Sequence, residues 1–334
     1  MTKNLQTEDN ILKMVGRAFS EDIQKEDVLI RELTEGCFNV AYLISFKDKE
    51  VILKIAPSPE AMIMTYEKNI MEAEVLGLTL VRKTSKVLVP KVLFYDTSRE
   101  LCDAPYFFME LLSGSSFYQL KAKSMPEKKQ SEILYEIGKW NFEINQINGE
   151  YFGYLGRPDR LKKSWKETFL CMIEDILLDG ERINISLGVA YDEIRMLIEK
   201  LKDCLDEIVE PVLVHWDLWE GNVFINNGKL SGVIDFERSL WGDPLMEYFF
   251  RRHAYNPDFV KGYGRDLRTE APLRALLYDL YLYLIMTIET EYRNYQDDSS
   301  YKFALGELNI TISEIKKLLH VSGDAGKTIC NHSH

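Results

Sequence analysis

Three polar residues in the segment HWDLWEGNVFINNGKLSGVIDFE, from His215 to Glu237, are of the types that manage a phosphate-bound cation: Asp217, Asn222 and Asp235. Two short apolar runs, VFIN and LSGVIDF, flank Asn227-Gly228. That dipeptide is a strong hairpin signal, because both central residues of a type I′ turn need positive φ. Asn222 precedes the turn and Asp235 follows it at similar distance, so both emerge at the open end of the ribbon, where their side chains can converge. An amide and a carboxylate there make a hard-oxygen site. Mg²⁺ favours such ligands and completes its shell with water and substrate phosphates. His215 and Asp217 stand in the turn leading into the ribbon, Asp217 five residues before Asn222. A second carboxylate thus lies near the metal pair but on a separate loop.

The elements that must position these groups fall into two sets. Strand patterns occur at 28–33, 37–46 and 50–56, separated by TEG and KDK turn signals. Helical spacing follows over 60–80, and VLVPKVLFYD and PYFFMELL resemble two further strands. The pattern predicts a five-stranded antiparallel sheet with one main helix. Beyond Ser113-Gly114 it changes to amphipathic helices around 127–148, 164–180, 189–208, 271–294 and 301–319. Asp243 as N-cap with Pro244 at the first helical position reads as another helix start. We expect an α+β fold with lobes over 1–112 and 113–334.

Composition narrows the partners. The 334 residues carry 41 Lys+Arg against 53 Asp+Glu, a net charge of −12, which disfavours nucleic acid and anionic membranes. The five cysteines are scattered, with no CxxC pair, as expected of a reducing compartment. The N-terminus is too polar for a signal peptide, and the apolar run from Leu276 is short and holds Asp279. A soluble cytoplasmic protein is the expectation. GDAGKT, Gly323–Thr328, lacks the first glycine of a phosphate-binding loop, and Cys330, His332 and His334 read as a polar tail rather than a metal site.

HWDLWEGN resembles the catalytic loop of the eukaryotic-like kinase superfamily, VIDFE resembles the metal-binding turn of its aminoglycoside phosphotransferase and choline kinase branch, and WGDP resembles the segment that follows this turn in antibiotic and ketosamine kinases. The resemblance implies a bilobal protein kinase-like fold using ATP, or GTP, with Mg²⁺. In it Asp217 would accept or orient the proton of an attacking hydroxyl, Asn222 and Asp235 would hold Mg²⁺, and His215 would fix the loop. Lys54, in VILKIA, would touch the nucleotide phosphates with Glu72 as its ion-pair partner and Glu74 as the runner-up. The turn centred on Gly36 would cover the phosphates, and the backbone from Glu110 to Leu112 would meet adenine.

Seven residues between Asp235 and Asp243 leave no room for a long activation loop, so a small hydroxyl acceptor is expected rather than a protein. An aminoglycoside or similar antibiotic is the first reading, making resistance the biological role. A metabolic kinase for choline, a ketosamine or a sugar-like compound is the second, and a silent nucleotide-binding protein the third. Asp175, Asp179, Glu289, Glu291, Asp297 and Asp298 could receive a cationic acceptor or be solvated helix faces. Two features depart from the antibiotic kinases: Trp216 where glycine is usual, and Ile144-Asn145 where a Leu-His pair is frequent. The two tryptophans, Trp216 and Trp219, also resemble fructosamine kinases.

Overall fold

The computed structural model describes residues 3–20, 25–34, 38–295 and 297–329, with side chains through residue 319. Helix α1 (Glu8–Phe19) was not anticipated from the sequence. The Thr7 hydroxyl caps it by accepting from Asn10 N, and Ile11, Met14 and Val15 face inward at helical spacing. The apolar faces of β1 (Val28–Leu33), β2 (Val40–Phe46) and β3 (Lys49–Ile55) pack beneath it, with Phe46 and Phe108 in the shared core. Next come α2 (Ile70–Thr84), β4 (Val92–Asp96) and β5 (Tyr106–Glu110). The five strands form one antiparallel sheet, as the sequence predicts, and the structure adds their order, β1-β2-β3-β5-β4.

The second lobe begins with β6 (Ser115–Ser116), α3 (Phe117–Ala122), α4 (Glu127–Ile144) and β7 (Gly153–Tyr154). It continues through α5 (Trp165–Arg182), α6 (Tyr191–Leu201), β8 (Val212–Val214), β9 (Val223–Asn226), β10 (Lys229–Val233) and β11 (Leu240–Gly242). Four more helices complete it: α7 (Pro257–Tyr263), α8 (Leu267–Glu270), α9 (Pro272–Arg293) and α10 (Ser299–Ile329). Two small sheets, β10-β9-β6 and β7-β11-β8, hold the segment from His215 to Glu237 against this helical body. The fold is α+β and bilobal.

One further detail differs from expectation. The helix anticipated at Asp243-Pro244 is only a 3-10 turn, Pro244–Met246, although Asp243 caps it by accepting from Leu245 N. GDAGKT lies within α10, so it forms no loop, while Cys330, His332 and His334 fall outside the described residues. Among the described residues no helix is long and apolar enough to cross a membrane. Asp279 in α9 is buried against Arg251 and Arg268.

Candidate active site

The hairpin forms as its turn chemistry requires, with Asn227 at φ 50° and Gly228 at φ 73°. Val223 pairs with Val233, and one step further Ile234 N donates to Asn222 O at 3.0 Å. Asn222 and Asp235 therefore sit at the open end of the ribbon. Asp235 adopts the left-handed conformation, φ 70° and ψ 54°, turning its carboxylate out of the strand. Asn222 Nδ2 donates to Asp217 O at 2.8 Å and to Asp217 Oδ2 at 3.1 Å. The three residues predicted from spacing are gathered at one place.

Lys54 reaches this cluster from β3. Its buried ammonium donates to Asp235 Oδ1 at 2.7 Å and to Glu74 Oε1 at 2.6 Å. The partner is thus Glu74, the runner-up, and the Glu72 expectation is corrected: Glu72 is exposed. The reason is helical phase. Glu74 lies on the stripe of Ile70, Met71, Gly77, Leu78 and Val81 that packs inward, and Glu72 is off it. Gly77 lets α2 approach the turn after Asp235, since a Cβ there would stand 2.7 Å from Phe236 Cβ.

Electrostatics divides the charges. Burial works against ionised Lys54, but Asp235 and Glu74 outweigh it and raise the ammonium above its ordinary range. Burial would raise Asp235, yet the Lys54 ammonium holds it low, whereas burial pushes Glu74 up to about 7 against the same ammonium. Asp235 is the ionised partner and Glu74 is poised near neutrality. Burial likewise pushes Asp217 up to about 7; Arg238 opposes this, and Asp235 and Glu289 add to it. Arg238 Nη2 donates to Glu289 Oε2 at 3.1 Å.

Beneath the loop, buried Glu247 accepts from His215 N at 2.9 Å and from Trp216 N at 3.0 Å. His215 is itself buried, with Nε2 3.0 Å from Ile234 O; desolvation lowers its pKa to about 4, so it stays neutral. Asn145, at the end of α4, donates to Glu247 Oε1 and to Leu213 O, and accepts from the Tyr263 hydroxyl. Trp216 takes φ 65°, a conformation that favours glycine, but its indole turns into the helical lobe. There it stacks on Tyr281 (5.5 Å between centroids, 18°) beside Tyr154 and Tyr66, and is 4% exposed.

The remaining expected residues are less central. Gly36 lies outside the described residues. Glu110 turns its side chain to Lys91 N, and its own N–H donates to Lys91 O, which removes that donor from any adenine contact. The backbone of Leu111 and Leu112 makes no hydrogen bond among the described residues. Leu112 sits on Gly232, where a Cβ would meet Leu112 Cδ1 at 2.5 Å, so the linker presses on the hairpin. Of the six acids, Asp179 is buried and accepts from Thr65 N and Oγ1, while Glu289 and Asp175 are paired with Arg238 and Arg160. Glu291, Asp297 and Asp298 line a separate cavity with Tyr295 and Tyr301.

Two residues escaped the sequence reading. Glu237 is buried and accepts from Asn39 Nδ2 at 2.6 Å, tying the β1–β2 connection to the turn after Asp235. Carboxylate oxygens of Glu74, Asp235 and Glu237 all lie within 4.8 Å of one another. The signal was the spacing of Glu237, two residues after Asp235, which brings a second acid to the same short turn. Glu247 gave no comparable signal.

Comparison with known proteins agrees with this geometry. A family model described as the phosphotransferase enzyme family matches residues 29–276. A probable ketoamine kinase of Vibrio parahaemolyticus serotype O3:K6 is 26% identical over 245 residues, 69% of this chain and 75% of that one. Another, from Vibrio vulnificus strain CMCP6, is 24% identical over 278 residues, 75% and 82% of the two chains. The solved ternary complex of a thermostable mutant of aminoglycoside phosphotransferase APH(4)-Ia with AMP-PNP and hygromycin B aligns with a TM-score of 0.64. Identity there is 16%, over 91% of this chain and 98% of that one. The streptomycin–ATP–APH(2")-IIa complex aligns at 0.59 and 18% identity, over 94% and 97%. At such identities the solved structures establish the fold alone.

Proposed function

The chain belongs to the phosphotransferase enzyme family, and we propose that this small-molecule kinase moves the γ-phosphoryl group of ATP to a hydroxyl of a ketoamine. The observation that carries the chemistry is the Asp217 carboxylate, hydrogen-bonded to Asn222 and raised to about 7. A base poised near working pH suits a hydroxyl nucleophile. The acceptor oxygen attacks the γ-phosphorus as the bond to the β,γ-bridging oxygen breaks, ADP leaves, and the hydroxyl proton passes to Asp217. Lys54, held by Glu74 and Asp235, neutralises the nucleotide phosphates. The transition state is loose, so positioning the hydroxyl matters at least as much as early proton removal.

The donor set fits Mg²⁺. Three carboxylates within 4.8 Å already attract one cation, the Lys54 ammonium, and hard oxygen ligands are those Mg²⁺ favours. Asn222 and Asp235 would hold the ion, with Glu237 beside them, and when bound it neutralises phosphate charge. We assign residues 1–112 to nucleotide binding, adenine meeting the Leu111–Leu112 backbone, and 113–334 to catalysis and the acceptor. GTP as donor, and a cytoplasmic location where nucleotide and reduced thiols are present, go with this reading.

The ketoamine is preferred because the curated relatives similar in sequence carry that description and because most of the acids considered for a polycation already have partners. An aminoglycoside is the second reading, favoured by the acidic cavity at Glu291, Asp297 and Asp298. Incubation with Mg-ATP and a panel of ketoamines, aminoglycosides and choline, read by mass spectrometry, separates them. Phosphorylated ketoamine with unmodified antibiotic is expected, and the reverse would overturn the assignment.

A further inference from the structure

The residues that lead into α2 precede the lobe boundary in sequence, yet the helical lobe holds them. Thr65 N and Oγ1 donate to the two oxygens of buried Asp179 on α5, at 2.6 and 2.8 Å, and Arg157 Nη1 donates to Thr65 O at 3.1 Å. Every polar group of Thr65 is thus taken up by the helical lobe. Glu67 is 2% exposed; one oxygen accepts from Met64 N at 2.8 Å and the other pairs with Arg293 at the end of α9. Between them Tyr66 packs its ring on Tyr154 and Trp216, although its hydroxyl finds no partner among the described residues. Asn69 Nδ2 donates to Gly156 O at 3.3 Å, and a Cβ on Gly156 would stand 2.7 Å from Asn69 O, so the two backbones meet directly.

Such a junction resists movement. Lifting the connection would strip Asp179 of both Thr65 bonds and part Glu67 from Arg293, and a buried charge without its partner is far more costly than an exposed one. The far end of α2 is fastened as well: Gly77 abuts Phe236, and beyond the helix Leu88 O accepts from Val233 N at 2.9 Å. Glu74, little more than one turn from Asn69, is fixed with the helix. Lys54 lies on the sheet, and Glu74 is the fixed point to which its ammonium is drawn. Arg293 reaches the sheet too, its guanidinium standing 4.1 Å from the centre of the Phe38 ring, two residues before β2.

We propose that Asp179 and Arg293 are positioning residues for nucleotide binding: by clamping Thr65–Asn69 to the helical lobe they set the start of α2, and through Glu74 they hold Lys54 in place. The assignment rests on the reading of Lys54 as the group that meets the nucleotide phosphates.

Binding of a fluorescent ATP analogue with Mg²⁺, which needs no acceptor, reads the effect. Arg293→Gln should weaken it about tenfold, and Thr65→Val, which removes one bond to Asp179, about threefold. Thr65→Val leaves the Glu67–Arg293 pair intact, so it gives the same comparison if Arg293→Gln fails to fold. In a Glu74→Gln background neither substitution should change affinity by more than about twofold, because the tie they act through is already gone. Hydrogen exchange of amides in the first turns of α2 should quicken in both single variants while that of β3 holds. Lys54→Met should itself weaken binding of the analogue. Given that loss, equal effects of the clamp variants with and without Glu74, or faster exchange with affinity unchanged, would overturn the clamp alone. Unaltered affinity in Lys54→Met would overturn it together with the reading of Lys54.

Discussion

Asn145 donates its side-chain amide to Glu247 Oε1 at 2.9 Å, and through that contact the end of α4 fixes the loop that carries Asp217. The other Glu247 oxygen receives Trp216 N, so one carboxylate spans the two residues before Asp217. Glu247→Gln keeps the shape but sets an amide NH₂ against a backbone N–H. It should cost about 1–3 kcal/mol of stability, the usual cost of a buried unmatched donor. Because the loop is loosened and the nucleotide contacts are not, kcat should fall about tenfold or more while KM for ATP stays within about twofold. Unchanged kcat in steady-state kinetics would remove Glu247 as a positioning residue.

Glu74 and Glu72 are two residues apart but point to different surroundings, one towards Lys54 and the other towards solvent. Glu74→Gln should lower kcat/KM for ATP by roughly 10²-fold by releasing the lysine from its strand-to-helix tie, whereas Glu72→Gln should lie within about twofold of wild type. A larger loss at Glu72 would contradict the pairing.

In the proposed transfer Asp217 acts as the ionised carboxylate, and burial raises its pKa to about 7. Activity should therefore rise as pH increases through that value and be lost below it. Arg238 favours the charged form and Glu289 disfavours it. Arg238→Gln should move the acid limb of the kcat/KM profile to higher pH, and Glu289→Gln should move it lower. Shifts in the same direction would show that neither charge acts on Asp217.

Trp216 sets backbone strain against burial. Glycine would relieve about 1–2 kcal/mol of left-handed strain, while removing a buried aromatic costs about 3–5 kcal/mol. Burial wins, so Trp216→Gly should destabilise by about 2–3 kcal/mol in chemical denaturation. The indole lies behind the loop, so acceptor KM should stay within about twofold. Tighter or looser acceptor binding would place the ring in the acceptor space.

Much of this site was legible because local chemistry dictates it. Asn227-Gly228 has few alternatives to a type I′ turn, and the strand period then carries Asn222 and Asp235 to the same end. The first sheet was legible for the same reason, alternation and turn residues giving all five strands. Choosing Glu74 required the phase of the whole helix, which the buried stripe of α2 contained and the approximate lysine-to-acid distance did not. Glu247 was beyond reach, and Asn145 stood out only as a departure from the family pattern without a role, since the two are 102 residues apart and only the tertiary fold joins them. Tyr66 is similar, for nothing in its neighbours announces a buried hydroxyl without a partner.

The central claim is that Asp217 handles the acceptor hydroxyl in a Mg-ATP-dependent transfer. Its most direct test is the kcat for phosphorylation of a ketoamine by wild type and Asp217→Asn, with ATP affinity measured alongside. Wild type should form the phosphorylated ketoamine, and Asp217→Asn should lose about 10²–10⁴-fold in kcat while binding ATP within about twofold of wild type. Equal turnover by the two proteins would contradict the account.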